Sequence, residues 1–110
     1  MPFPELVRKL TAIVGKKLTA YIGSVSDVRA VDRWIQGSEP YKSAETRLRL
    51  AYHVARMLSD HEGKRVVQSW LSGLNPELDD RAPLRLLREG DIEEVGPKIL
   101  TAARSFLAGG

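Results

Sequence analysis

Helix-breaking residues divide the stretch from Trp70 to Gly90 into short pieces, and this punctuation limits the folds open to the chain. Asn75 is a residue type that caps helix starts, and Pro76 suits a first helical position because its missing N–H would be unpaired there. Pro83 requires a break, because a residue that precedes proline disfavours the helical conformation. Gly90 is predicted to end a helix in a left-handed conformation. The stretch is therefore predicted to form short helices joined by tight turns.

The rest of the chain also shows helical spacing of apolar residues, without the alternation that is typical of strands. From Ser43 to Leu58, apolar residues recur at three- and four-residue intervals and predict one long helix. Pro97 predicts a kink or a later start near Gly96 in the last helix. We expect an all-α fold, with further helices at 4–15, 18–23, 27–36, 66–74 and from 91 onwards.

Composition narrows the classes of function. The 110 residues contain no cysteine, which excludes disulfides and cysteine-ligated metals and fits a cytoplasmic location. No signal peptide is expected from the amino terminus, and no apolar run approaches the roughly 18 residues of a membrane span. Residues 1–50 carry nine Lys/Arg against five Asp/Glu, whereas residues 51–110 carry eight against nine. This imbalance is compatible with a polyanionic partner for the first half, and equally with an ordinary solvated surface.

Residues 18–37 have the rhythm of a helix-turn-helix, in which the second helix carries polar residues outward. Arg29, Ala30 and Arg33 are expected to project from that helix. Arginine suits bidentate contact with guanine, and alanine allows close approach to a base edge. Phosphate contacts, which position a domain without reading sequence, are expected from other cations. These are Lys42, Arg47 and Lys16 or Lys17.

The same residues have an alternative interpretation. Asp27 and Asp32 flank the two arginines, and ion pairs across helical turns would lower the positive field offered to phosphate. The helix-turn-helix would then be a scaffold, and no DNA contact would follow.

No residue pattern indicates catalysis. His53 and His61 are eight residues apart, which is not the spacing of two metal ligands on one helical turn. The carboxylates of 79–80 and 93–94 lie by predicted helix starts, where capping explains them. No Gly-rich loop follows a strand, so the motifs that cradle phosphates are absent. We expect a protein that is not an enzyme and that holds neither a metal nor a cofactor.

The pattern Asn-Pro-x-Leu, four residues, Pro-x-x-Leu-Leu-x-x-Gly resembles the toxin-binding domain of the Xre/MbcA/ParS antitoxins. The Arg-Trp-x-x-Gly that ends at Gly37 resembles the end of the recognition helix in Xre-type repressors. The turn at 22–27 is one or two residues longer than is usual in those repressors. The positions that carry the toxin-binding pattern are Asn75, Pro76, Leu78, Pro83, Leu86, Leu87 and Gly90.

This resemblance implies an Xre-like helix-turn-helix domain at residues 1–60 and a small helical toxin-binding domain at residues 61–110. It implies a bacterial antitoxin of a type II toxin–antitoxin system, which represses its own operon. Its partner would be a RES-domain toxin that degrades NAD, and the antitoxin would cover the toxin's active site. A homodimer is expected on operator DNA, because one helix-turn-helix covers too little DNA for strong specific binding. The helix at 43–60 and its neighbours are the expected packing surface.

The toxin-binding residues expected from the pattern fall into two groups. Turn and apolar residues set the path of the backbone: Asn75, Pro76, Leu78, Pro83, Leu87 and Gly90. Arg81, Arg85 and Arg88 are expected to make contacts, because arginine suits a pocket built for the phosphates of NAD.

Alternatives to these arginine contacts stay open. The arginines could pair with Asp79, Asp80 and Glu89 on a solvated surface, and the end at 107–110 could thread into the toxin instead. Two other functions also stay open. One is a stand-alone transcriptional regulator whose carboxy-terminal helices mediate dimerisation, and the other is a helical adaptor that does not bind DNA.

Overall fold

Every regular element of the chain is helical, which confirms the predicted fold class. The computed structural model describes residues 1–109, and within them seven α-helices and one 3₁₀ helix occur without any β-strand. The 3₁₀ helix, Pro76–Leu78, lies between α5 and α6. The α-helices are α1 (Phe3–Val14), α2 (Lys16–Ile22), α3 (Arg29–Ile35), α4 (Lys42–Ser59), α5 (Lys64–Ser72), α6 (Pro83–Glu89) and α7 (Ile92–Leu107).

Helix α4 occupies the centre of the fold. Its apolar stripe is buried and packs against α1 and α2 on one side and α5, α6 and α7 on the other. One hydrophobic core therefore joins both predicted domains, with Leu10, Leu48, Leu71, Leu87 and Ile99 all less than 2% exposed. Because the stripe is used inside the chain, the predicted packing of a second copy on this helix and its neighbours would have to use their exposed sides.

Helix α7 begins at Ile92, earlier than the start near Gly96 that was one of the two predictions from Pro97. It runs from Ile92 through Pro97 as a single helix, so the predicted later start near Gly96 is wrong. Asp91 fixes the start, because its Oδ1 accepts a hydrogen bond from the backbone N–H of Glu93 at 3.2 Å. The missing N–H of Pro97 removes one hydrogen bond near the amino-terminal end of α7, and the 16-residue helix continues through this position.

Close packing around Trp34 holds α3 against the first two helices. The ring of Trp34 meets Phe3 edge to face, with centroids 6.0 Å apart. A Cβ atom added at Gly23 would lie 2.6 Å from the Trp34 ring. Glycine at this position thus lets the start of the α2–α3 turn approach the indole.

Candidate functional site

The α2–α3 turn gives the helix-turn-helix its geometry. After α2, Ser24 adopts a left-handed conformation with φ 59°, and the N–H of Val25 donates to the carbonyl of Ala20 at 3.1 Å. This closes α2 and redirects the chain toward α3, which starts at Arg29. The sequence prediction of two short helices around a longer turn agrees with these boundaries.

Asp27 and Arg29 form a closed pair at the start of α3. Oδ1 of Asp27 accepts from the backbone N–H of Arg29 at 2.8 Å, and Oδ2 lies 2.6 Å from Nη2 and 2.9 Å from Nε of the same residue. The Arg29 side chain, through these hydrogen bonds, lowers the pKa of Asp27 to about 2, and Asp27 in turn raises the pKa of Arg29. Asp32 pairs instead with Lys16, at 2.7 Å. The alternative in which acidic neighbours pair with the two arginines therefore holds for Arg29, whereas Asp32 engages Lys16 and not Arg33.

Two of the expected DNA-facing residues are placed differently from the prediction. Ala30 is 7% exposed and faces the interior, since the side of this seven-residue helix that carries Val31 and Trp34 also buries position 30. Arg47 donates from Nη1 to the carbonyl of Leu87 at 2.9 Å, so its guanidinium links α4 to α6. Neither residue is available in the way that the sequence suggested.

Arg33 and Lys42 do remain on the surface. Both are exposed, and neither forms an ion pair with any of residues 1–109. Arg33 borders a groove of about 510 Å³, to which Tyr41 and Pro40 also belong. Lys17 is a further exposed cation in this half. The cations open to a polyanion are thus fewer than the sequence suggested.

The second site begins with the segment 75–81, which closes on itself. Asn75 caps the 3₁₀ helix, its Oδ1 accepting from the N–H of Glu77 at 2.9 Å, as predicted for an Asn-Pro start. The carbonyl of Asn75 accepts from Asp80 at 2.9 Å, and its N–H donates to the carbonyl of Arg81 at 3.2 Å. Asp79 and Asp80 have φ of 57° and 59° and form a left-handed turn, in which Asp79 ends the 3₁₀ helix, so neither caps a helix start as the sequence suggested.

The apolar residues of the antitoxin-like pattern are buried. Leu78 is 2% exposed and Leu87 is fully buried, while Pro83 and Leu86 also lie in the interior. These side chains anchor the loop and α6 to the core. They cannot contact a partner directly without rearrangement, so these apolar residues position a surface and do not themselves form it.

The three arginines expected to contact a partner differ in availability. Arg88 donates from Nη1 to the carbonyl of Tyr21 at 2.9 Å and lies over the Tyr21 ring, 4.6 Å from its centroid. Arg81 bonds the carbonyl of Leu78 through Nε at 3.1 Å, with 43% of its side chain exposed. Arg85 is 67% exposed and pairs with Glu89 at 2.9 Å, a hydrogen bond that raises its pKa. Arg85 is the most open of the three.

Gly90 has a different role from the predicted one. Its φ of −76° and ψ of 164° are extended, so the expected left-handed exit from α6 is wrong. A Cβ atom here would lie 2.8 Å from the carbonyl oxygen of Leu86 and 3.0 Å from both methyls of Val95. Glycine is required because α6 and α7 approach closely at this point.

An apolar groove that sequence reasoning missed lies between α5 and α7. Trp70 and Phe106 form its centre, with ring centroids 6.3 Å apart, while Val66 and Leu74 are 39% and 75% exposed. The sequence indicated these residues as a helix face, but α5 ends at Ser72 and leaves Leu74 outside it. We call Val66, Trp70, Leu74 and Phe106, with the residues that border them, the α5/α7 groove.

Other kinds of site find little support in residues 1–109. None of the helices there is long and apolar enough to cross a membrane. In the same part of the chain no three His, Asp or Glu side chains converge as metal ligands would.

Comparison with known proteins identifies the fold. No protein-family model and no curated protein sequence matches the chain. Among solved structures it matches a chain in the crystal structure of the M. tuberculosis MbcT-MbcA toxin-antitoxin complex, with a TM-score of 0.70 and 23% sequence identity. The match covers 93% of this chain and 94% of the other. The likeness extends over both halves and confirms the resemblance at the level of the fold.

Proposed function

We propose that this chain is the antitoxin of a type II toxin–antitoxin pair, which binds a protein toxin and neutralises it. The observation that carries the proposal is a fold shared over 93% of the chain with a protein from a toxin-antitoxin complex. The antitoxin-like pattern at 75–90 adds support, because its residues form the capped loop and the close α6–α7 contact described above. The chain would act by binding, without catalysis or a cofactor of its own.

The partner that this pattern favours is a RES-domain toxin, and neutralisation would consist of covering its NAD-binding active site. Of the predicted contacts, Arg85 and Arg81 are the more exposed, although Arg85 pairs with Glu89 at 2.9 Å and Arg81 with Asp79 at 3.5 Å, as the alternative interpretation expected. A partner carboxylate would have to replace these exposed pairs, which an arginine fork can do through bidentate contacts. The loop at 75–81 sits beside them and is held in shape by its own hydrogen bonds. A rigid surface of this kind lowers the entropic cost of binding.

We further propose that the first half binds operator DNA as part of a homodimer. Arg33, Lys42 and Lys17 supply exposed positive charge in this half, and Arg33 projects from the second helix of the helix-turn-helix. A dimer would place two such helices on successive half-sites. A stand-alone repressor would bind operator DNA through the same contacts. Binding of a toxin therefore distinguishes the antitoxin proposal from the stand-alone repressor.

Co-expression with the product of an adjacent RES-type gene tests the antitoxin role. We expect the tagged chain to capture that toxin and to restore growth of cells that express it. The double variant Arg81→Ala/Arg85→Ala should lose both effects, whereas Arg8→Ala, an exposed arginine on α1, should keep them. Absence of capture by the wild-type chain, together with retained promoter binding, would leave the stand-alone repressor as the function.

A further inference from the structure

We infer that the α5/α7 groove is the contact between two copies of the chain, related by a two-fold axis that passes close to Trp70 and Phe106. The inference deepens the homodimer of the proposed function by assigning the surface that forms it.

The groove consists of two depressions that share an aromatic wall. Trp70 and Phe106 line both of them. One depression, of about 250 Å³, continues to Leu74, Pro76 and Glu77, and the other, of about 370 Å³, continues to Val66, Ser69 and Arg65. Contiguous exposed apolar surface of this kind marks an interaction site, because single scattered residues are normal but clusters are not. Tryptophan is also the residue type most often found at the energetic centre of an interface.

The charges at the two ends of the groove favour a second copy as the occupant. Arg65 borders one depression and Glu77 borders the other. Neither forms an ion pair with any of residues 1–109, and Glu77 only accepts a hydrogen bond from Ser105 at 3.1 Å. A two-fold axis through the shared aromatic wall exchanges the ends, so Arg65 of each copy meets Glu77 of the other. A two-fold contact requires this kind of self-complementarity.

The same two-fold rotation also brings complementary apolar surfaces together. Leu74 is 75% exposed and stands beside the Glu77 end, whereas the opposite depression is bordered by Val66 and Ser69. When the ends are exchanged, Leu74 of one copy enters the depression beside Val66 of the other. Each copy therefore supplies both the projecting leucine and the depression that receives it.

The exposed side of α4 belongs to the surface that the sequence predicted for the dimer. A depression there is lined by Tyr52, His53, Arg56, Met57 and Asp60. Tyr52 and Met57 are partly buried, as Trp70 and Phe106 are, but no exposed large apolar residue comparable to Val66 or Leu74 borders this depression. The α5/α7 groove offers the more exposed apolar groups and is the surface we assign.

Charge reversal tests this assignment by sedimentation velocity. We expect the wild-type chain to be a dimer, and Arg65→Glu and Glu77→Arg to be monomers at the same concentration, each with at least a tenfold weaker association. Mixed one to one, these two variants should form a heterodimer. One contact then joins the two reversed charges, and the other keeps the wild-type pair of Arg65 and Glu77. Recovery of the heterodimer also shows that both variants are folded.

Further variants separate the outcomes. Leu74→Glu should be monomeric, whereas Tyr41→Glu, an exposed apolar residue on another loop, should stay dimeric. Dimeric Arg65→Glu and Glu77→Arg, or dissociation by Arg56→Glu, would overturn the assignment in favour of another face. A monomeric wild-type chain at all concentrations would overturn the dimer itself.

Toxin capture by the same variants distinguishes this inference from the antitoxin role. A monomeric Arg65→Glu variant that still captures the RES-type toxin is the expected result, because Arg65 lies on α5, outside the loop at 75–81 and the proposed toxin contacts Arg81 and Arg85. If the groove variants lose toxin capture and the wild-type chain is a monomer, the toxin and not a second copy occupies the groove. If no variant and not even the wild type captures the toxin but the dimer behaves as expected, only the antitoxin proposal fails.

Discussion

Arg29 and Arg33 lie one turn apart on α3, yet they are held in different ways. Asp27 engages Arg29 through its backbone N–H and its guanidinium, so Arg29 belongs to the structure that starts the helix. Arg33 is exposed and forms no ion pair among residues 1–109. Helical spacing alone gives the two arginines equal weight, and the position of one carboxylate separates them.

The Asp27 carboxylate should titrate well below an ordinary aspartate. Its pKa is lowered to about 2 from 3.8 by the hydrogen bonds of Arg29, so its charged form stabilises this turn above about pH 4 and the contribution is lost as the pH falls toward 2. NMR titration of the side-chain carboxyl carbon measures this directly. In Arg29→Ala the pKa should return toward 3.8, and an unchanged pKa in that variant would contradict the pairing.

If the first half binds operator DNA as proposed, Arg33 should contribute more to that binding than Arg29. Arg33→Ala should weaken binding to the chain's own promoter DNA by about 1–3 kcal/mol if it makes a bidentate base contact. Arg29→Ala should have a smaller effect, and Arg8→Ala on α1 controls for the loss of one charge. Fluorescence anisotropy at one fixed salt concentration compares them. Equal binding by Arg33→Ala and wild type would remove α3 from the DNA contact.

At the scale of elements, the junction between α6 and α7 leaves no room for a side chain at Gly90. Gly90 allows the end of α6 to meet Val95 without a side chain in between. Gly96, one residue beyond Val95, is different, because a Cβ there would meet Leu50 at 3.5 Å, an ordinary van der Waals distance. The structure therefore excludes a side chain at Gly90 but has room for a methyl group at Gly96.

Alanine substitutions at these glycines should change stability in opposite directions. Gly90→Ala should lower the free energy of unfolding by about 1–3 kcal/mol, because the new methyl overlaps a backbone carbonyl. Gly96→Ala lies inside α7 and should be neutral or raise the free energy of unfolding by up to about 1 kcal/mol through helix propensity. Urea denaturation of the two variants beside wild type provides the measurement. A stabilised Gly90→Ala would show that the junction is looser than described.

Local signals predicted most of these elements, and the failures have tertiary causes. The prolines and glycine at the ends of α1 and the spacing of apolar residues along α4 are local signals. They can therefore be recognised in the sequence alone. The extended conformation of Gly90 depends on the approach of Val95, and the burial of Ala30 depends on which face of α3 packs against the core. The α5/α7 groove was missed because an apolar helix face looks the same in the sequence whether the fold covers it or not.

At the scale of the whole molecule, α4 makes the two predicted domains share one core. Its apolar stripe contacts helices from both halves, so neither half has a complete interior. Beyond residue 60, seven valine, leucine and isoleucine residues are buried: Val67, Leu71, Leu78, Leu86, Leu87, Val95 and Ile99. Burial of each contributes about 1.5–3 kcal/mol, so removing the second half takes away a large part of the hydrophobic stabilisation of the shared core.

The fragment 1–60 should therefore fail to fold cooperatively by itself. Without the second half, Leu48 and Leu58 of α4 lose part of their cover. Far-UV circular dichroism should show partial helix without a sigmoidal urea transition, while the full chain unfolds in one transition. A sharp transition in the isolated fragment would instead support two independent domains.

Arg88 ties the two halves together by a contact that matters for any exchange of parts between related proteins. Its guanidinium donates a hydrogen bond to the carbonyl of Tyr21 and lies over the ring of the same residue, which is 67 residues earlier in the chain. A chimera that joins residues 61–109 to a foreign helix-turn-helix without an aromatic residue at that place loses the ring contact of this half-buried cation and keeps only its bond to a backbone carbonyl. A graft of the second half, which brings Arg88 with it, therefore needs Tyr21 introduced into the recipient domain.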